Sequence, residues 1–297
     1  MTNTSDKIFV TGATGYIGSK LIGFLLEKNA KVTAYVRNIE KAKSMFPQAP
    51  ENLKFIQGDY TTTDVFEREI IGHTRLFFVV AVDSPMADIK GTFAKIAYDA
   101  GVRQIVDISS SSVNSPYRYS FVSSMHREGE DRIIAAKKRK DQYCVIIRPG
   151  RFYTNHLWIE AQNIKEKQQL STLNDFDKKE GYVSNTDIAE LCSVILTDPI
   201  EKHDNCVYTM FSQMLSIRDR AAALSDVLGK NITVNNSSEQ EMYDGLIHRG
   251  YPHHLAINFV QLHEDGNVNP YYAAMLGRPA QTFRDWLLVE EHLAQLR

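Results

Sequence analysis

Three glycines at Gly12, Gly15 and Gly18, in the run Gly12-Ala13-Thr14-Gly15-Tyr16-Ile17-Gly18, stand directly after a short apolar segment and directly before a helical one. That placement suits a phosphate. A tight turn lets the backbone approach a pyrophosphate with no Cβ in the way, and the helix that follows aims its free N–H groups at the anion. Thr14, Tyr16 and Ile17 share the loop and the helix start, so they are candidate contacts. The spacing is G-x-x-G-x-x-G, not the G-x-G-x-x-G of the dinucleotide fingerprint. About twenty residues past such a turn, an acidic side chain usually holds the ribose 2′-hydroxyl of NAD; here the segment reads Val36-Arg37-Asn38. A guanidinium pairs with a 2′-phosphate by charge-assisted hydrogen bonds, so Arg37 favours NADP(H) over NAD(H). The competing reading of Arg37 is a solvated loop arginine. Asp59 and Tyr60, after a third strand-like run, would lie near the adenine, or Asp59 is a plain turn residue.

The elements that must position these residues can be read from the alternation of short and long patterns. Strand-like runs fall at 7–11, 31–37, 53–58, 75–82, 103–109 and 143–149, with helical patterns between them. Six strands in βα alternation predict a parallel sheet covered by helices on both faces, an α/β doubly wound fold of the Rossmann type. Leu76 to Val82 is apolar at every position, as in a strand buried on both faces. Beyond about residue 155 the alternation weakens. Helices are expected over 183–197, with Asn185 or Thr186 as N-cap, and over 216–228, capped by Ser216 and ended by Gly229. A short strand at GKNITV, a helix in EQEMYDGLIHRGY and one terminal amphipathic helix in TFRDWLLVEEHLAQL complete the reading. The expected organisation is a dinucleotide-binding domain over residues 1–155 and a smaller, helix-rich, substrate-covering domain over 156–297, with segment 180–200 packing back on the first.

Composition narrows the class of function. The 297 residues carry 34 Lys and Arg against 36 Asp and Glu, a net charge of −2, which argues against nucleic acid as a ligand. Hydrophobic residues make up 43% and charged ones 24%, an ordinary globular balance. The longest apolar run is far short of the roughly 20 residues of a membrane-spanning helix, and no membrane partner is expected. Cys144, Cys192 and Cys206 are odd in number and widely spaced, which fits buried thiols in a reducing, cytoplasmic setting. His248, His253, His254 and His263 lack the i, i+4 spacing of a metal site, so no metal is expected. Lys137 to Lys140 closes a helical pattern, where cations oppose the macrodipole.

At the C-terminal edge of the expected sheet, Val82 and Asp83 follow the fourth strand, Ser109 to Ser112 follow the fifth, and Phe152, Tyr153 and Asn155 follow the sixth. Open α/β sheets bind ligands at that edge. Val82 and Ser109 are candidate cofactor contacts. Asp83, Ser110, Tyr153 and Asn155 are candidate pocket residues, and Phe152 a candidate wall beside the nicotinamide. Tyr117, in the loop after the serines, is a candidate substrate-facing group.

Taken together, VTGATGYIGSKL, VRN, GD, AGVRQIVDISS, RPGRFYTNHL, YVSNTDIAEL and GRPAQTFRDWL resemble the NmrA-like branch of atypical short-chain dehydrogenases/reductases over nearly the whole chain. The resemblance implies sheet order 3-2-1-4-5-6, a smaller C-terminal domain and NADP in the crevice between them. Members range from NADPH-dependent quinone oxidoreductases and phenylpropanoid-ether reductases to regulators that bind the dinucleotide without turning it over. No tyrosine here has lysine four residues on, so the Tyr-x-x-x-Lys pair of ordinary short-chain dehydrogenases is missing. In its place the register reads His126-x-x-x-Glu130, similar to the quinone-oxidoreductase subgroup.

An imidazole with an ordinary pKa near 6.5 can hold the cofactor ribose or deliver a proton at neutral pH, and Glu130, one turn on, can orient it. The plainer reading is a His and Glu pair on a helix surface. The expected activity is thus NADPH-dependent reduction of a small planar acceptor such as a quinone, by His126, Glu130 and Tyr117. The alternatives are a non-enzymatic NADP(H) sensor that engages a protein partner, and a reductase of specialised metabolism. A homodimer is compatible with either.

Overall fold

The computed structural model describes residues 6–61, 63–82, 84–173, 175–261 and 271–297. Its strands are β1 (Lys7–Val10), β2 (Lys31–Val36), β3 (Leu53–Gln57), β4 (Arg75–Phe78), β5 (Gln104–Ile108), β6 (Tyr143–Pro149), β7 (Arg151–Phe152), β8 (Gln169–Thr172), β9 (Glu180–Val183), β10 (Val207–Met210), β11 (Gln213–Leu215) and β12 (Thr233–Asn236). In the first half the helices are α1 (Tyr16–Glu27), α2 (Ile39–Met45), α3 (Asp64–Glu69), α4 (Met86–Asp99) and α5 (Phe121–Ala135). A π-helical turn (His156–Glu160) leads into α6 (Ala161–Lys167), followed by α7 (Asn185–Ile195), α8 (Ile217–Leu228), α9 (Glu239–His248), α10 (His253–Gln261), α11 (Tyr271–Leu276), α12 (Phe283–Leu287) and α13 (Glu290–Leu296).

Seven strands form one parallel sheet in the order β10-β6-β5-β4-β1-β2-β3, a Rossmann-like α/β fold. The chain moves from β1 outward through β2 and β3, then crosses to β4 on the other side, so the switch point lies between β1 and β4. Alternation on β1 feeds two cores: Ile8 and Val10 join the cluster beneath α1 and α7, while Phe9 joins Phe66, Phe78 and Phe93 beneath α3 and α4. Each fully buried Phe or Leu of these layers contributes roughly 1.5–3 kcal/mol. β4 ends at Phe78 rather than continuing to Val82, because the hydroxyl of Thr11 receives the Val79 N–H at 3.2 Å and donates to the Phe77 carbonyl, replacing the ladder there.

Three other expectations need correction. A seventh strand, β10, pairs with β6 at the sheet edge, although VYTM carries too little apolar alternation to announce itself. The N-cap of α7 is Ser184, whose Oγ accepts the Asp187 N–H at 3.0 Å, not Asn185 or Thr186. The expected single terminal helix is two, α12 and α13, with an extended Val289 between them. That break stacks His292 on Trp286 at 4.1 Å and lets its Nδ1 meet the Trp286 carbonyl.

Later segments are sewn into the sheet. Buried Arg75 donates to Asp6 and Gln104, to the carbonyl of Ile195 at the end of α7 and to that of Asp198 beyond it. Asp187, fully buried on α7, receives Arg278 at 2.7 Å, the Gln281 N–H at 2.9 Å and the Tyr272 hydroxyl at 3.1 Å. No helix among the described residues is long and apolar enough to cross a membrane.

Candidate active site

The glycine turn sits at the switch point. Gly12 has φ +61°, in the region that favours glycine, and a Cβ there would meet Val79 Cγ1 at 2.4 Å. At Gly18 a Cβ would lie 2.2 Å from the Gly12 carbonyl oxygen, so α1 can press against the turn only without a side chain. The Gly15 N–H donates to the Gly12 carbonyl at 2.9 Å, closing the turn. Gly15 also begins α1 with no side-chain cap, so the positive end of a 12-residue helix is left for an anion. Ile17 is buried in the core under α1 and Thr14 and Tyr16 are half-buried beside the turn, so only backbone from Ile17 can meet a nucleotide. These residues fit a dinucleotide pyrophosphate.

Arg37 is exposed just past the end of β2, and Asn38 caps α2 by accepting the Lys41 N–H. Asp59 accepts both the N–H and the hydroxyl of Thr61, an Asx-turn arrangement. Tyr60 is half-buried, its hydroxyl donating to the Val79 carbonyl at 2.6 Å and its ring packing on Phe93. Val82 is half-buried after β4, and Asp83 lies outside the described residues.

At the end of β5 the structure assembles a polar cluster from five segments. Ser120 and Ser123 cap α5 reciprocally, and Asn258 of α10 accepts the Val122 N–H, fixing the start of the helix that carries His126. Glu130 does not orient the imidazole, contrary to the sequence expectation. Its carboxylate receives Arg148 Nη2 at 2.5 Å and Nε at 3.0 Å, together with the hydroxyl of Ser109. One turn of separation allowed a His–Glu contact, but a guanidinium arriving from β6 competes for the same oxygens and bonds them bidentately. Ser109 is therefore also committed to Glu130. Ser110 caps the turn that follows, its Oγ 2.8 Å from that of Ser112.

His126 is 6% exposed, and its Nδ1 is buried with no hydrogen-bond partner among the described residues. Burial holds its pKa well below the ordinary 6.5, and the Lys90 charge pushes in the same direction. The ring is therefore neutral at pH 7. Lys90 is itself fully buried, donating to Asp107 at 2.8 Å and to the Ile108 carbonyl at 3.0 Å. Burial raises the Asp107 carboxyl to about 6 despite that neighbour. A neutral imidazole has one N–H, which can hydrogen-bond to an oxygen as negative charge develops, but it has no second proton to give at neutral pH. Of the two expected roles, holding the cofactor ribose suits this neutral ring better than delivering a proton at neutral pH.

Tyr117 is not brought to His126. It is 73% exposed, its ring beside the guanidinium groups of Arg118 and Arg127, while Arg127 pins the loop through the Val113 and Ser115 carbonyls. Tyr153 does not wall the pocket either. It is wholly buried, with its hydroxyl against Gln213 and the Gln281 carbonyl and its ring against Phe283. Phe152 is half-buried, paired with Val183 in a small sheet of β7, β9 and β11, and Asn155 opens the π-helical turn, also half-buried. Sequence reading missed Lys90, Asp107 and Arg148. Two carry a signal: Lys90 falls on the apolar stripe Met86, Ile89, Phe93, Ala97 of α4, and Asp107 interrupts an apolar strand.

Fold and glycine turn together define a dinucleotide-binding α/β protein. The profile of the NmrA-like family matches residues 4–293, and the chain belongs to that family. A relative from Streptomyces griseus, a (4-alkanoyl-5-oxo-2,5-dihydrofuran-3-yl)methyl phosphate reductase, is 26% identical over 287 residues, covering 94% of this chain and 96% of its own. Among solved structures, the NADPH-dependent quinone oxidoreductase of Escherichia coli complexed with NADPH superposes with TM-score 0.80 at 22% identity, covering 97% of this chain and 99% of the other. The Citrobacter triphenylmethane reductase complexed with NADP(H) gives 0.77 at 21%, over 96% and 99%.

Proposed function

We propose that the protein is an NADPH-dependent oxidoreductase that reduces a small planar acceptor such as a quinone. The observation that carries the reading is the buried, neutral His126 at the sheet edge, on a lattice of fixed charges, in a chain whose glycine turn fits a dinucleotide. NADP(H) is the cofactor, and when bound it supplies the reducing equivalent. The turn at residues 12–18 holds the pyrophosphate by backbone N–H groups and the helix dipole, and Arg37 selects the 2′-phosphate. His126 donates a hydrogen bond to the acceptor oxygen as charge builds on it, or to the nicotinamide ribose. Glu130, Ser109 and Arg148 brace the floor of the site, and burial, aided by the Lys90 charge, keeps the imidazole uncharged. Free thiols at Cys144, Cys192 and Cys206 suit a cytoplasmic setting.

The named reductases among the relatives support a turnover role, and the missing Tyr-x-x-x-Lys pair supports the alternative of an NADP(H) sensor. NADPH oxidation measured across quinones, aldehydes and enones, alongside NADPH binding, separates the two. Turnover fastest with quinones is the expected result; tight binding with no turnover on any acceptor overturns the enzyme reading in favour of the sensor.

A further inference from the structure

A second cavity, of about 540 Å³, lies in the C-terminal half between the π-helical turn, α6, β8, β12 and α9. None of the glycines of the turn, nor Arg37, Ser109 or His126, lines it. Its volume is that of a small-molecule site. We infer that this cavity binds a small organic oxyanion that also carries a hydroxyl group.

The buried nitrogen atoms of lining residues that have no hydrogen-bond partner among the described residues include three on which the inference rests: Nε of Arg220, Nε of Arg249 and Nε2 of His156. Arg220 is 5% exposed and His156 2%. Buried polar atoms are normally satisfied, so three at one cavity mark a place where hydrogen-bonding groups are held ready for something else. The polarity of each follows from its fixed neighbours. A guanidinium Nε can only donate. The His156 Nδ1 faces the Glu160 carboxylate, which Arg220 Nη1 also grips at 2.8 and 2.9 Å; Nη1 lies 3.1 Å from Nδ1 as well, but an ionised carboxylate can only accept and is the closer partner, so Nδ1 carries the proton. An imidazole that donates through Nδ1 to a carboxylate presents Nε2 as an acceptor. The wall therefore offers two donors and one acceptor, matching an anionic oxygen and a hydroxyl.

Charge points the same way. Glu160 balances Arg220, and Glu180 balances Arg151 at 3.0 Å. Arg249 donates through Nη1 to the Ile159 carbonyl at 2.8 Å and has no carboxylate within ion-pair distance among the described residues. Over the whole lining Arg151, Lys167, Arg220 and Arg249 are matched in number by Glu160, Glu166, Glu180 and Glu241, so the preference for an anion rests on the one guanidinium that no carboxylate pairs among the described residues, Arg249, and not on net charge. The groups are also held rigidly. Tyr182 stacks against His156 at 5.5 Å and carries the Arg220 guanidinium over its ring at 5.4 Å. The carboxamides of Asn163, Gln169 and Asn235 complete a lining rich in groups that pair with hydroxyls. A π-helical turn at the wall is itself a feature found often at functional sites.

The test is calorimetric titration of the full chain saturated with NADPH, so that anion binding at the nucleotide turn does not contribute. The probes are inorganic phosphate, glycerol 3-phosphate, glycerate and uncharged glycerol. Either organic anion should bind at least ten times more tightly than glycerol, the tighter of the two telling a phosphate ester from a hydroxy acid. Arg249→Gln should weaken that binding at least tenfold, and Arg249→Lys less. In wild type, the ¹⁵N resonance of His156 Nε2, assigned by its loss in His156→Gln, should move on addition of the anion. No binding by either organic anion, or binding without movement of that resonance, overturns the inference even where a variant fails to fold. Failure of NADPH itself to bind would instead count against the nucleotide site.

Discussion

The glycine turn and the His126 cluster lie at the same edge of one sheet, yet they are built in opposite ways. The turn is a single stretch of seven residues whose shape follows from what is missing: a Cβ at Gly18 would sit 2.2 Å from the Gly12 oxygen. The cluster draws Lys90, Asp107, Ser109, Glu130 and Arg148 from α4, β5, the residue after it, α5 and β6, and its property, an imidazole that stays neutral well below its ordinary pKa, exists only once those segments pack. Binding is thus encoded locally and chemistry through long-range burial. Changes at the turn should abolish binding while changes in the cluster alter stability and protonation.

The largest expected effect breaks the local half. Gly18→Val should eliminate NADPH binding measurable by fluorescence titration, since neither the Gly12 backbone nor α1 can retreat without opening the turn; retained affinity would mean that the turn is not the pyrophosphate site. Next comes Lys90→Met, which leaves Asp107 without its counter-charge and should cost about 3–5 kcal/mol in urea unfolding. The double variant Lys90→Met/Asp107→Leu should recover most of that loss, and a double variant as unstable as the single would show the pair to be more than mutual compensation.

Arg37→Ala comes third. It should weaken NADPH binding by about 10- to 100-fold, the worth of a charged hydrogen bond or two, and leave NADH nearly unchanged. Equal losses for both cofactors would remove Arg37 from 2′-phosphate recognition.

The smallest effect concerns pH. Burial lowers the pKa of His73, His126, His156, His203 and His292. As pH falls through the ordinary value of about 6.5, the unfolded chain takes up protons that the folded chain refuses, so these groups reduce stability on the acid side. Asp107, raised to about 6, works the other way as one group against five. The urea midpoint should therefore decline from about pH 7.5 to about pH 5.5. A midpoint that rises over this range would contradict the burial of these imidazoles.

The same contrast explains what could be read from sequence. β1 to β6 and the glycine turn are legible because each depends on a short window of pattern or on steric limits at named residues. His126 was legible as a position but not as a chemical state, since the ordinary pKa of histidine gives no hint of the Lys90 charge or of its burial. Glu130 looked like a partner for His126 from helical spacing alone; Arg148, 18 positions on, was the stronger competitor. Tyr153 was misplaced because the side-chain alternation after β6 turns it into the core with Phe283 and Trp286. β10 escaped because an edge strand held on one side needs little apolar alternation.

On the proposed reading, a neutral His126 acts in turnover while the glycine turn binds the cofactor without it. The most direct test measures NADPH affinity and quinone-dependent NADPH oxidation side by side in wild type and His126→Ala. A drop in turnover of about 100-fold or more, in the range of a lost hydrogen-bond donor to a developing oxyanion, with affinity within about threefold, is the predicted result. Unchanged turnover in His126→Ala would contradict the account.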